Sequence, residues 1–235
     1  MLFANFAPSK QRCETRYKWR MEKHRAAALF DLDGVVFDTE PQYTLFWGEK
    51  GKLYHPEIAD FEQRIKGQTL VQIFDGWFAG QEAVQQEIVA DLKLFESQMD
   101  YEYVAGIEDF LKALREEGIA TAVVTSSNEE KMRNVYGSHP EFKGYFDRVL
   151  TSEFFPRSKP EPDCYLIGAE VFGLPVSRCV VFEDSFNGLK AGRSAGMSVV
   201  GLSTTNAPES ICGLCEVVIP DFRGFGVEKM LGLLA

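Results

Sequence analysis

A run of five apolar residues, Ala26 to Phe30, stops abruptly at Asp31, and runs of the same kind recur along the chain. Ile119 to Val124 precedes Thr125, Arg148 to Leu150 precedes Thr151, Cys179 to Phe182 precedes Glu183, and Met197 to Leu202 follows Gly196. Continuous apolar runs of this length are how strands buried on both faces read. Between them lie segments with helical spacing. Ile107, Phe110, Leu111 and Leu114 share one face of a segment that stops at Gly118, and Asp163 to Phe172 and Ser185 to Ala195 follow the same rule. Strands alternating with helices predict an α/β chain with a doubly wound, mostly parallel sheet, which binds ligands outside the carboxyl ends of its strands.

One stretch breaks the alternation. From Glu40 to Tyr103 there is no convincing buried strand, and helical patterns cover Gln42 to Lys50, Thr69 to Phe78 and Gln81 to Gln98. The expected division is a basic tail over residues 1–24, a core made of 25–38 and 104–235, and an all-helical insertion over 39–103. The insertion's aromatic residues, Tyr43, Phe46, Trp47, Phe74, Trp77 and Phe78, are first of all candidates for a small core of its own.

Charge narrows the partners. A formal net charge of -10 over 235 residues repels phosphate backbones and anionic lipid, so neither nucleic acid nor a membrane is an expected partner, and an anionic substrate needs a local positive pocket. No apolar run approaches the roughly 20 residues that span a bilayer, and Met1 to Ala7 is too short for a secretory core, which gives a cytoplasmic expectation. The basic tail reads as a solvated segment, with Met21 as an alternative start. Five cysteines without a signal peptide fit reduced thiols; Cys212 and Cys215 have the C-x-x-C spacing but no second pair, and are expected as two small residues in a surface helix. Nothing sets the oligomeric state, and a monomer is compatible with the sequence.

The chemistry-bearing residues sit at the strand ends. Asp31-Leu32-Asp33-Gly34 sends out two carboxylates separated by one residue, and two close carboxylates do not ionise together without a cation or a shared proton. Such a pair suits a nucleophile and a general acid with Mg²⁺ offsetting the charge. Thr125-Ser126-Ser127 opens a helix, with Ser127 and Glu130 spaced as a capping box, and its hydroxyls and backbone N–H groups suit a phosphate oxygen. Lys159, before Pro160, supplies a point charge if its loop returns to the same strand ends. Glu183-Asp184-Ser185 adds two more acids, either of which favours the next helix N-terminus or completes an oxygen-ligand Mg²⁺ site.

These four motifs, in this order, resemble those of the haloacid dehalogenase superfamily of phosphatases and phosphomutases, over nearly the whole chain from Ala26 onward, and most of all the branch of β-phosphoglucomutase and related sugar-phosphate phosphatases. The resemblance implies a Rossmann-like core with the helical insertion as its cap. It implies that Asp31 attacks phosphorus to form an aspartyl phosphate while Asp33 protonates the leaving oxygen and then activates water. Mg²⁺ would be held by the Asp31 carboxylate, the Asp33 backbone carbonyl and Asp184, with Glu183 in or next to that shell. Thr125, the Ser126 N–H and Lys159 would hold the phosphoryl oxygens, Thr39 would stand at the hinge into the cap, and Gln68 and Thr69 are candidates for substrate contact.

Members that act as mutases carry a histidine four residues after the hinge threonine and an arginine in the cap loop. The matching positions here are Tyr43 and Leu70, and Leu70 has no charge for a second phosphate. The expected activity is therefore hydrolysis of a small phosphorylated metabolite, a sugar phosphate being the leading class, with β-phosphoglucomutase activity as the alternative. A non-catalytic receiver domain, which also gathers acids, a Thr or Ser and a Lys around a phosphorylatable Asp, fits less well because it places that Asp on a later strand and has no helical insertion.

Overall fold

The computed structural model describes residues 24–66 and 68–234. Within them, six parallel strands form one sheet in the order β3-β2-β1-β4-β5-β6: β1 (Ala27–Phe30), β2 (Ala120–Val124), β3 (Arg148–Leu150), β4 (Cys179–Glu183), β5 (Ser198–Leu202) and β6 (Val217–Ile219). The first strand lies between β2 and β4, with Phe30 opposite Val123 on one side and Phe182 on the other. Strand order reverses at β1, and Asp31 leaves the sheet at that switch point, where the loops diverge and open a crevice.

Alternation along β1 builds both faces of the sheet. Ala26, Ala28 and Phe30 join a core that includes Phe110, Phe182 and Phe222, whereas Ala27 and Leu29 join one that includes Tyr165, Leu189 and Val199. The first face packs α5 (Ile107–Glu116) and α9 (Val227–Leu231); the second packs α7 (Asp163–Glu170) and α8 (Phe186–Ser194).

The insertion holds α1 (Glu40–Tyr54), α2 (Phe61–Arg64), α3 (Leu70–Trp77) and α4 (Glu82–Gln98). Phe46, Trp47, Phe61, Ile65, Ile73, Phe78 and Ile88 form a third, separate cluster there. Its entry and exit run side by side: Asp38 N–H donates to the Glu102 carbonyl at 2.8 Å and Val104 N–H to the Val36 carbonyl at 2.9 Å. The two connections form a short antiparallel pair through Phe37 and Tyr103.

Several local expectations are corrected. The helix after β2, α6 (Glu129–Ser138), is capped by Asn128, whose side chain accepts from Lys131 N–H, and not by Ser127. The strand β6, a three-residue run between Glu216 and Pro220, lies outside the apolar runs read from the sequence. The cysteine pair does not lie in a surface helix: Cys212 is exposed in a short 3₁₀ turn, and Cys215 is buried against Gly201. The basic tail lies outside the described residues except for His24, whose Nδ1 is 3.1 Å from the Gly118 carbonyl oxygen. No helix among the described residues is long and apolar enough to cross a membrane.

Candidate active site

The turn after β1 determines how both early aspartates are presented. Val36 and Phe37 N–H both donate to the Leu32 carbonyl, at 2.9 and 3.0 Å, so the chain folds back within a few residues of Asp31. Gly34 makes this possible. It has φ of +73°, and a Cβ there would collide with the Asp184 carboxylate, so only glycine lets the two loops meet.

Residues from separate strand ends then line one cavity of about 550 Å³. Asp31 and Asp33 follow β1, Thr125, Ser126 and Ser127 follow β2, Lys159 comes from the loop after β3, and Asp184 follows β4. Lys159 Nζ stands 2.6 Å from Asp31 Oδ1, 2.7 Å from Glu183 Oε1 and 3.1 Å from the Val124 carbonyl oxygen. Burial works against an ammonium, but the Asp31 and Glu183 carboxylates outweigh it and hold Lys159 charged, its pKa well above the usual lysine value. The Thr125 hydroxyl is buried and accepts from Ser127 N–H at 3.0 Å, while Ser126 is exposed.

Burial raises the pKa of Asp31 to about 7; Lys159 opposes this, and the Glu183 and Asp33 charges add to it. Asp184 is pushed well above the ordinary carboxylate range by burial, then by Glu183 and Asp31. Two hard oxygen donors held together at this energetic cost fit a divalent cation. Among the described residues, no three acidic, thiol or imidazole side chains converge to enclose an ion by themselves. Mg²⁺ uses one or two carboxylates and completes its shell with water and substrate oxygens.

Glu183, expected in or next to such a shell, adjoins Asp184 and accepts from its N–H at 3.0 Å. It is fully buried and does not line the cavity. Its Oε1 accepts from Lys159 and from the Tyr165 hydroxyl at 2.9 Å, and its Oε2 accepts from Asp184 N–H, Ser185 N–H and the Ser185 hydroxyl at 3.0 to 3.1 Å. Both oxygens are occupied by the protein, so Glu183 positions Lys159 and the β4 turn. Asp184 is the acid that faces the cavity, held by the Thr205 hydroxyl.

The insertion closes the other side. Thr39, with no solvent exposure, donates to Asp33 Oδ1 at 2.7 Å. Gln68, Thr69 and Leu70 all line the cavity, but Thr69 is also engaged as the N-cap of α3 in a capping box with Gln72, and Gln68 Nε2 donates to the Arg64 carbonyl. Tyr43 is kept protonated by burial and by the Asp33 and Glu96 charges, and donates to Glu96 Oε1 at 2.8 Å.

Lys131, in the first turn of α6, is a cavity residue that the motifs did not reveal. Its Nζ lies 2.6 and 2.5 Å from the two Asp33 oxygens. A signal was present: a lysine in the first helical turn opposes the macrodipole and calls for an acidic partner. Thr205 and Asn187 also line the cavity, and neither belongs to the four motifs.

A family model described as haloacid dehalogenase-like hydrolase matches residues 26–196. Hexitol phosphatase A of Escherichia coli (strain K12) is 30% identical over 196 residues, covering 80% of this chain and 87% of that protein. A phosphorylated carbohydrates phosphatase of Thermotoga maritima is 29% identical over 186 residues, covering 73% of this chain and 82% of its own. Among solved structures, a HAD hydrolase, family IA, variant 3, from Entamoeba histolytica HM-1:IMSS superposes with a TM-score of 0.77 at 23% identity, over 88% of this chain and 98% of that one.

Proposed function

Because the chain belongs to the haloacid dehalogenase-like hydrolase family, we propose that this hydrolase is a Mg²⁺-dependent phosphatase of small phosphorylated metabolites, with sugar phosphates as the first class to test. The relatives named for hexitol and carbohydrate phosphates support that class. The observation that carries the reading is the 2.6 Å approach of Lys159 Nζ to Asp31 Oδ1 in a cavity that Thr125 and Asp184 also line.

In this reading Asp31 attacks phosphorus through one carboxylate oxygen, the alcohol oxygen leaves with a proton from Asp33, and an aspartyl phosphate forms. Asp33 then takes a proton from water, which attacks the acyl phosphate and regenerates Asp31. Lys159, the Thr125 hydroxyl and the Ser126 N–H hold charge on the phosphoryl oxygens and are oriented before substrate arrives. Asp31, the Asp33 carbonyl and Asp184 would hold Mg²⁺, which when bound offsets the phosphate charge. The helical insertion serves as a cap that excludes bulk water, with Thr39 at its hinge.

Hydrolysis is preferred over isomerisation because Leu70 stands at the position where the mutases of this branch carry an arginine, although Lys66 and Lys93 of the insertion also line the cavity. The test is a panel of phosphorylated metabolites with Mg²⁺, run beside an assay for interconversion of glucose 1- and 6-phosphates with the bisphosphate present. Repeated phosphate release that is lost in Asp31→Asn is expected. Isomerisation without release would replace this reading with a mutase, and a stable stoichiometric label with a receiver.

A further inference from the structure

Lys131 buries an ammonium between the core and the insertion, with its side chain 3% exposed. Two of its protons reach the two oxygens of Asp33, and the third reaches the Tyr43 hydroxyl at 2.6 Å. Asp33 also accepts from Thr39 Oγ1 at 2.7 Å and Ser127 Oγ at 3.2 Å. A carboxylate held on both oxygens from three directions cannot rotate freely. Tyr43 lies on α1, and its hydroxyl donates to Glu96 on α4. An unbroken line of hydrogen bonds thus runs from Asp33 through Lys131 and Tyr43 to Glu96, crossing from the core into two helices of the insertion.

The fold alone does not ask for this lysine. Its ammonium is desolvated, and it sits at the end of α6 where the helix macrodipole disfavours positive charge. An apolar side chain of similar length would suit both conditions better. What the ammonium does supply is a hold on both Asp33 oxygens that is joined by hydrogen bonds to Tyr43 and, through it, to Glu96.

We propose that Lys131 is a positioning residue for the acid/base step: it orients the Asp33 carboxylate and, through Tyr43 and Glu96, ties that orientation to the seating of the helical insertion. This rests on the phosphatase reading, in which Asp33 gives a proton to the leaving oxygen.

Leaving groups separate this role from a structural one. p-Nitrophenolate departs without a proton, whereas a sugar alkoxide needs one. The parent protein and the Lys131→Met, Lys131→Arg and Tyr43→Phe variants are assayed with Mg²⁺ on p-nitrophenyl phosphate, following the pre-steady-state burst of nitrophenolate, and on whichever of glucose 6-, ribose 5-, fructose 1- and sorbitol 6-phosphate the parent hydrolyses fastest. Lys131→Met is expected to lower kcat on the sugar phosphate by about 100-fold or more, the scale of lost acid/base assistance, with less than a roughly tenfold loss in the nitrophenolate burst rate. KM should stay within about threefold, since no ground-state contact is removed. Lys131→Arg should recover part of the loss, and Tyr43→Phe should show the same leaving-group pattern at smaller amplitude.

Equal losses on both substrates, a raised KM at constant kcat, or no change would overturn the proposal. If Lys131→Met does not fold, Tyr43→Phe and Lys131→Arg, which keep the buried charge, decide it by the same ratio. A parent that hydrolyses none of these esters, or an Asp31→Asn variant that retains activity, overturns the phosphatase reading itself and the proposal with it.

Discussion

Glu183 Oε1 lies 2.7 Å from Lys159 Nζ, at a carboxylate with no solvent exposure and no place on the cavity wall. Glu183→Ala takes away one of the two carboxylates on Lys159 and strands the Tyr165 hydroxyl and the Asp184 and Ser185 N–H groups, so it is expected to cost about 3–5 kcal/mol, measured by urea unfolding. Asp184→Asn should instead raise the Mg²⁺ concentration for half-maximal activity by more than about tenfold, and by more than Glu183→Gln does. The reverse ranking in a Mg²⁺ titration would return Glu183 to the metal shell.

The pKa of Asp31 gives a pH signature. Burial raises it from 3.8 to about 7, so between these values the folded chain binds more protons at this site than the unfolded chain. Stability then falls as pH rises through that window, the reverse of a salt-bridged carboxylate with a depressed pKa. In chelator, Asp31→Asn should have a higher Tm than the parent at pH 7 to 8, and the gap should close as pH approaches 4. A gap independent of pH in thermal melts would refute this.

Glycine replacements should divide by what surrounds them. A Cβ on Gly188 would collide with the Glu183 carboxylate, whereas one on Gly137, inside α6, meets nothing within 4 Å. Gly188→Ala is expected to destabilise by about 1–3 kcal/mol through overpacking. Gly137→Ala should stabilise by about 0.5–1 kcal/mol through helix propensity. Chemical denaturation of the two variants side by side tests the pair.

Thiol labelling should follow exposure. Cys212 is exposed, while Cys164 and Cys179 are buried with pKa values raised to about 11, chiefly by burial. Because the thiolate is the reacting form, iodoacetamide at pH 8 should modify Cys212 long before these two, as read by peptide mass spectrometry. Early modification of Cys164 would contradict the packing of α7 against the sheet.

The apolar runs and the acids that end them were readable because a strand buried on both faces must be continuously apolar and its first polar residue must leave the sheet. Asp31 and Thr125 follow from that rule, Glu183 breaks it by ending β4 as a buried polar residue before Asp184 reaches the cavity, and the helical character of residues 40–98 follows from helical spacing. The capping of α6 did not follow. Ser127 and Asn128 are equivalent caps by propensity; in the fold the Asn128 side chain accepts from Lys131 N–H, while the Ser127 hydroxyl donates to Asp33.

Local sequence by itself determined the order of strands and helices, the position of the helical insertion and the presence of carboxylates, hydroxyls and a lysine at strand ends, because periodicity and chain polarity are properties of neighbouring residues. Tertiary structure alone decided which of those groups meet. Glu183 turned inward to Lys159 and Tyr165, Asp184 outward to the cavity, and Lys131 across nearly a hundred residues to Asp33. Burial and charge pairing depend on distances through space, and no spacing along the chain encodes them.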